Sequence, residues 1–537
     1  MTAAISSPLD RPAPAAQKWV VAIAVMLGTA LEVLDVSIVN VALPHMQGSF
    51  SASVDEIAWV LTSYLVANGI MIPMTGWISS RFGRKRYFMF SVIVFVIASG
   101  LCGMAQSLNE MVAFRLIQGA AGAAMIPSSQ AILMETFPPA EQQMAMAMWG
   151  VGLMVAPIMG PTLGGWITDN LNWRWNFYIN LPIGMAAFLM VYLFVHDPSH
   201  IRESSKEKGR VDWAGIVLLA VSLGIGGLVL DRGQRADWFA SRWIVWGTIV
   251  SVFSLVALTI NELRCPEPIL DLAIFSIPVF SIAVTLMVAM SFALYGVGLL
   301  NPILLQELLG YTAWKAGLAL APRGLGTMAA MLIIGQLARY RYGTRPLIGL
   351  GFVVMALAMW KMSQWNLQVS MYAVIWPTIV NGIGMGMIFP TLSATTLACV
   401  ERKRVGNAAS LYNMMRNTGA AIGISYMTTT LVSREQTHQA YLGGHFTAFD
   451  AWRLGHAAPL APGAQQFRYL PEIITGQHQG LAGIYGVIQA QAAILSFNDI
   501  YWALALLMFA LVPSFLFLGH TSATSGEADA TAENIAP

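Results

Sequence analysis

Charge is what this sequence has least of. Asp, Glu, Lys and Arg make up 10% of its 537 residues, against roughly 25% in an ordinary soluble domain. So little charge cannot cover a globule of this size with water-compatible surface, and a soluble protein is excluded. The net charge of +2 gives no case for a nucleic-acid partner, whose phosphates call for a basic surface. Cysteine is scarce as well: Cys102, Cys265 and Cys399 lie far apart, without the paired spacing of metal or redox motifs. Neither a metal site nor a disulfide framework is expected. The phosphate-cradling pattern GxxxxGKS or GxxxxGKT is missing, which argues against direct ATP hydrolysis. No cofactor is expected.

What fills the chain instead is apolar. Hydrophobic residues make up 56% and the mean hydropathy is +0.63. A hydrocarbon core about 30 Å thick needs roughly 20 apolar residues in a helix. Runs of that kind cover Trp19–Leu43, Ile57–Trp77, Tyr87–Ala105, Met111–Leu133, Met144–Ile167 and Phe177–Val195. Others follow at Trp213–Leu230, Trp243–Ile260, Val279–Leu305, Ala313–Leu337, Leu347–Met362, Met371–Thr391, Ala408–Val432 and Phe497–Leu518. These predict an all-α polytopic membrane protein of about fourteen spans, since lipid offers backbone groups no partner outside a helix or closed barrel. The first run is too long for a cleaved signal, carries Glu32 and Asp35, and is followed by no small-residue cleavage site.

Lysine and arginine set the orientation, because they are retained on the cytoplasmic side. Arg11 and Lys18, Arg81 to Arg86, Arg202 to Arg210, Arg264, Arg339 to Arg345 and Arg402 to Arg404 all fall in alternate segments. That places both termini in the cytoplasm. The organisation expected is a polar tail over 1–18, a six-helix half over 19–195 and two linker spans within 211–260. A second six-helix half over 279–518 carries an outer loop at 433–496, and a tail occupies 519–537. A weak repeat supports the two halves: Leu43–Gly83 ends in GWISSRFGRKR, and Leu304–Gly343 ends in GQLARYRYGTR. Duplicated halves are a common transporter plan, although any two membrane hairpins look somewhat alike.

Charges within the spans are the residues that cost most in lipid and usually face a cavity or a partner. Glu32 and Asp35, three apart, share one face of the first helix. Arg115 opens RLIQGAAGAAMIP in the fourth, Arg323 interrupts the tenth and Arg416 the thirteenth. Such acids beside arginines suit a site that takes up and releases a proton, or they only tie helices together. Asn40, Asn68, Gln118, Asn381, Asn413 and Asn417 are candidates to line a pathway, or to bond between helices.

Four motifs in order carry a resemblance. LDVSIVNVALP (34–44), GWISSRFGRKR (76–86), RLIQGAAGAAMIP (115–127) and GVGLMVAPIMGPTLGGWI (150–167) are similar to the first-helix, loop, fourth-helix and antiporter motifs of the fourteen-helix drug:proton antiporters of the major facilitator superfamily. WRWNFYINLPIG (173–184) reads the same way, and the layout resembles that of EmrB-type multidrug exporters. The resemblance implies a major facilitator fold of two six-helix halves plus two central helices. It implies proton-coupled efflux of hydrophobic or amphipathic compounds across a bacterial inner membrane, powered by the proton gradient. Asp35 would be protonated during exchange, with Arg115 tuning or trading that proton. Partners implied are a periplasmic adaptor of the EmrA type and an outer-membrane channel of the TolC type, with the 433–496 loop as docking surface or passive lid.

The motifs have their own physics. Gly150, Gly160, Gly164 and Gly165 allow close helix approach, while Pro157 and Pro161 remove backbone donors and bend the span; the resemblance implies that this helix seals the halves against each other. In the loop motif, Gly76 and Gly83 stand beside Arg81, Arg84, Lys85 and Arg86, a set suited to a latch between halves or to a topogenic signal alone. Ser80 stands where the superfamily usually has aspartate, so any latch must work without that acid. Thirty-one methionines and 10% aromatics give a deformable interior but name no substrate. A same-fold symporter importing a small solute is the main alternative, and the antiporter motif argues against it. A membrane enzyme would need clustered catalytic groups at membrane depth, which the sequence does not show.

Overall fold

The computed structural model describes residues 15–196, 212–265, 268–337, 344–444 and 478–517. The basic segments at 202–210 and 339–341, the repeat end at 338–343, residues 1–14 and the tail at 519–537 lie outside them; residues 15–18, expected in the polar tail, open the first helix instead. Every described element is helical. The first six passes are α1 (Ala15–Phe50), a broken second pass of α2 (Val54–Ile57), α3 (Trp59–Met71) and α4 (Thr75–Phe82), then α5 (Arg84–Met104), a broken fourth pass of α6 (Leu108–Gly122) and α7 (Met125–Thr136), α8 (Pro139–Asn170), and α9 (Trp175–Tyr178) with α10 (Asn180–Phe194). Two linker helices follow, α11 (Trp213–Arg232) and α12 (Arg242–Arg264). The last six passes are α13 (Pro278–Ile303), α14 (Ala313–Leu337), α15 (Thr344–Met362), α16 (Met371–Ala398), α17 (Val405–Gly444) and α18 (His478–Leu511).

Among the described residues, ten of these passes are long and apolar enough to cross a membrane. The second, fourth, eleventh and thirteenth are short, broken or more polar, and complete the expected fourteen. The breaks have local causes. Pro73 follows the end of α3, and Pro127 lacks the N–H that would continue the ladder into α6, so each pass divides just before its proline. At the corner between the first two passes, Ser53 and Glu56 form a reciprocal cap.

Two halves are visible in which helix packs on which. In the first, α1 lies on α8 and α10, α6 on α3 and α5, and α5 on α10. In the second, α13 lies on α17, α16 on α14 and α15, and α15 on α18. Pass for pass this is one arrangement used twice. The halves meet through α8 against α14 and α4 against α17, which are equivalent pairs under the same repeat. The linker helices pack on each other and on α3, and touch α17. Their outward side chains, such as Phe253 and Trp213, are largely exposed, as a lipid-facing surface requires.

One expectation needs correction. The 433–496 segment is not a loop at its ends: α17 continues to Gly444 and α18 begins at His478. Forty residues of helix span about 60 Å at 1.5 Å per residue, twice the hydrocarbon thickness. The sequence TTTLVSREQTHQAYLGG is too polar for lipid, so a search for apolar runs stops there while the helix carries on. The two extensions hold each other: Gln439 donates to Tyr485 at 2.6 Å, and His438 and Arg434 meet Asp499 at 2.9 and 3.7 Å. Residues 445–477 lie outside the described residues.

Glycine sets the closest approach in the first half. A Cβ on Gly119 would lie 2.9 Å from the Tyr64 Cα, and closer still to its carbonyl oxygen, so α6 rides directly on α3. Gly119→Ala should therefore force these backbones apart and destabilise the protein by about 1–3 kcal/mol. Gly69→Ala, with nothing within 4 Å of the added carbon, serves as control. Thermal unfolding of both variants in detergent checks this, and equal midpoints would contradict the packing.

Candidate functional site

The first polar cluster sits on α1, α6 and α10. Asp35 and Arg115 are both 0% exposed, which makes their arrangement decisive. Arg115 Nη1 donates to Asp35 Oδ2 at 2.6 Å, Gln118 Nε2 to Asp35 Oδ1 at 2.9 Å, and Asn180 Nδ2 to the same oxygen at 2.8 Å. Three donors and no acceptor converge on one carboxyl, a set suited to a carboxylate. Arg115 is fixed in turn by the Val60 carbonyl at 3.1 Å, by Gln118 Oε1 at 2.8 Å and by the Tyr64 ring 4.2 Å below its guanidinium. Asn180 also donates to Ser99, whose hydroxyl donates to the Phe177 carbonyl. The cluster thus ties five of the six passes of the first half.

Glu32 stands apart from it, although it shares a helix face with Asp35. Asn68 Nδ2 donates to Glu32 Oε1 at 3.0 Å, while Oε2 has no hydrogen-bond partner. Gly122 makes the room: a Cβ there would lie 2.8 Å from the Tyr64 hydroxyl and 3.4 Å from Glu32 Cγ. Deeper along α1, Trp149 donates to Ser129 at 3.0 Å and stacks on Phe389 of the other half with centroids 6.1 Å apart.

Contacts between the halves concentrate toward the end that carries the basic loops. Asn413 Nδ2 donates to Gln130 Oε1 at 2.5 Å, Gln130 to Ser393 at 3.4 Å, and Gln143 to Thr391 at 3.2 Å. A Cβ on Gly335 would meet Met144 and Ala147 at 2.9 Å, and one on Gly76 would lie 2.6 Å from the Asn407 Cα. Gly76 therefore lets α4 seat on the start of α17. Gly83, at φ 91°, adopts a backbone that other residues resist, and it delivers Arg84 into an almost fully buried ion pair with Glu135. The Arg84 guanidinium also lies against Gly406 at the start of α17.

The rest of the loop motif does not join this latch. Arg81 stacks on Trp77 of its own helix, 5.4 Å from the ring, and Arg86 is exposed. Ser80 turns its hydroxyl to the Trp77 carbonyl at 2.8 Å. A serine has neither charge nor reach to bridge the halves. Lys85 caps the first half internally, donating to the Tyr192 carbonyl at 2.7 Å.

The antiporter motif divides along its length. Gly150 faces Met331 of α14, with an added Cβ 2.9 Å from its sulfur, whereas Gly160 abuts Ser37, Gly164 Ile38 and Gly165 Val41, all on α1. Only the basic-end part of α8 seals one half against the other; the remainder packs within its own half, because passes one and five lie side by side there. Pro157 is exposed, and the Pro161 side chain lies outside the described residues. Asn40 is exposed on α1 beyond Asp35, so it does not join the cluster. Arg323 is half-buried on α14 and Arg416 buried on α17. Tyr64, Ser99, Asn180, Gln130 and Gln143 were not singled out in advance. The signal for Asn180 was a lone amide in the apolar run INLPIG.

Comparison with known proteins now has a geometry to meet. Residues 25–424 match the Major Facilitator Superfamily. The multidrug export protein EmrB of Escherichia coli is 37% identical over 496 residues, covering 92% of this chain and 94% of that one. The fatty acid resistance protein FarB of Neisseria gonorrhoeae is 34% identical over 500 residues, covering 93% and 95%. Among solved structures, the proton:xylose symporter XylE superposes with a TM-score of 0.59 at 14% identity, over 93% of this chain and 96% of that one, a likeness of fold alone.

The cluster around Asp35 makes a sharp energetic prediction. Removing one partner of a buried ion pair strands the other charge at a cost of about 3–5 kcal/mol, whereas removing both costs far less. Arg115→Met should be strongly destabilised, and adding Asp35→Asn should restore most of the loss. Unfolding midpoints of the two variants and their double mutant form the cycle; additive effects would show that the pair is not coupled.

Proposed function

The chain belongs to the major facilitator superfamily and is a drug-efflux transporter of that family; on that premise we propose that it exports hydrophobic and amphipathic compounds in exchange for protons, with Asp35 as the proton-carrying group. One observation carries the reading: a fully buried carboxyl on the first helix is the point on which Arg115, Gln118 and Asn180 converge. Protonating Asp35 removes the charge that gathers these donors. Arg115 then loses its counter-ion, and the link between α1, α6 and α10 weakens together with the backbone tie from Arg115 to Val60. A proton arriving on one side thereby alters how helices of the first half hold one another, and a rocking of the halves exposes the group to the other side. No cofactor takes part, and the proton gradient is the energy source.

The closed basic end is the cytoplasmic gate in this reading, and the arrangement is the state that receives protons from outside and releases cargo there. The protein resides in the bacterial inner membrane with both termini in the cytoplasm. The extensions of α17 and α18 stand on the periplasmic side, where they offer a rigid helical platform to an EmrA-type adaptor and, through it, a TolC-type outer-membrane channel.

Two measurements test this. In proteoliposomes with an imposed pH difference, the wild-type protein should drive a lipophilic dye against its gradient with counter-movement of protons. Asp35→Asn should bind the dye but lose pH-driven transport by about 10²-fold or more, the scale on which a positioned proton-transfer group acts. Normal rate and normal pH dependence in that variant would end the assignment. At the gate, Gly76→Val should push α4 off Asn407 and raise the accessibility of a cysteine placed at Ser393 to a water-soluble thiol reagent added from the basic side. Unchanged labelling would show that this contact does not close the path.

A further inference from the structure

Two buried groups of opposite sign face the boundary between the halves with bonding capacity unused. Glu32, on α1 of the first half, is 5% exposed, and its Oε2 has no hydrogen-bond partner. Arg416, on α17 of the second half, is also 5% exposed; its Nε has no partner, and its one hydrogen bond is a long contact of 3.4 Å from Nη2 to the neighbouring Asn417. No ion pair joins the two, but both border α7: Glu32 lies one turn from Thr29, which donates to Ser129 at 3.2 Å, and Arg416 lies one turn from Asn413, which donates to Gln130 at 2.5 Å. Around Glu32 stand Asn68, the Tyr64 hydroxyl, itself without a partner, and the already paired Asp35. Tyr412 sits one turn before Arg416 on α17, its hydroxyl accepting from Ser393 at 3.0 Å. Each half supplies one of the two groups.

Leaving a buried charge without partners costs several kcal/mol, and neither group has a use in the proton cluster, the gate or the linker contacts. We propose that Glu32 and Arg416 are the two poles of the cargo site, and that the cargo class they select is a zwitterionic amphiphile, an apolar body with an ammonium at one end and a carboxylate at the other. The ammonium pairs with Glu32 and the carboxylate with Arg416. A molecule with only one charge satisfies one pole and leaves the other unpaired, and that penalty is the source of selectivity. Because the poles belong to different halves, such a cargo also bridges the surfaces that must separate during transport. The proposal rests on the efflux reading and adds its substrate class.

Equilibrium binding decides it without any proton gradient, so the outcome does not depend on Asp35. The full-length protein in detergent is titrated at neutral pH, by tryptophan fluorescence, with an aminomethyl-naphthoic acid, with its carboxamide (cation only) and with its N-acetyl derivative (anion only). The wild-type protein should bind the zwitterion about tenfold tighter than either congener, the change that one extra interaction of about 1.4 kcal/mol produces. Glu32→Gln should weaken the zwitterion and the cation while sparing the anion; Arg416→Gln should weaken the zwitterion and the anion while sparing the cation. Equal binding of the three by the wild-type protein overturns the proposal even if a variant fails to fold. So does a uniform loss across all three in both variants, which would mark the pair as structural.

Discussion

Lipid forms no hydrogen bonds, and this constraint shapes every feature of the molecule. It forces the backbone into helices, and it obliges each polar side chain at membrane depth to find its partner inside the protein. A charge within a span is then either locked into a complete set of bonds or left reaching for something the protein itself lacks. Asp35 belongs to the first kind, with three donors on its two oxygens. Glu32, only one turn away on the same helix, belongs to the second. The contrast between these neighbours separates a carboxyl with both oxygens bonded from one with an oxygen left without a partner.

The same constraint explains where the halves touch. Amides and hydroxyls at the basic end, Gln130, Gln143, Thr391, Ser393 and Asn413, satisfy one another across the boundary. Weak neutral bonds of this kind, individually worth about 0.5–1.5 kcal/mol, suit a contact that must open and reform. A strong ion pair across the boundary would hold one state too firmly. Arg84 and Glu135 do form a buried pair, but within one half, where it stiffens the surface that α17 meets rather than bolting the surfaces together.

Much of the fold was legible in the sequence because lipid imposes a length and a polarity on every spanning helix. All fourteen apolar runs became helical passes, and the charged residues Glu32, Asp35, Arg115 and Arg416 are buried. Legibility failed where the medium changes. Beyond the bilayer α17 continues as a polar helix, so apolar runs could not mark its end at Gly444. Within the site, spacing placed Glu32 and Asp35 on one face but could not say which of them Arg115 would choose, since that depends on how α6 docks on α3 and α5. Asn180 escaped notice because a single asparagine in an apolar run has no periodicity to announce it. Arg81 and Arg86 were grouped with Arg84 by adjacency, yet the turn at Gly83 puts Arg81 on α4, Arg86 lies on another face of α5, and only Arg84 meets Glu135 and α17.

The linker helices add a coupling that the two halves alone lack. At the end opposite the basic loops, Asp231 of α11 accepts from Thr62 of the first half at 2.9 Å, and Trp238, just beyond α11, donates to Thr429 of the second at 3.0 Å. Arg232 meanwhile lies over Trp59, 4.9 Å from its ring. One short hairpin therefore grips α3 and α17 at the far end, while Gly76 and Asn407 bring α4 and α17 together at the basic end. The second and thirteenth passes are thus held at both ends by contacts of different kinds, close backbone packing at one and a few polar bonds through an intermediary at the other. The added pair of helices thus links the two halves at the end opposite the close packing of α4 on α17.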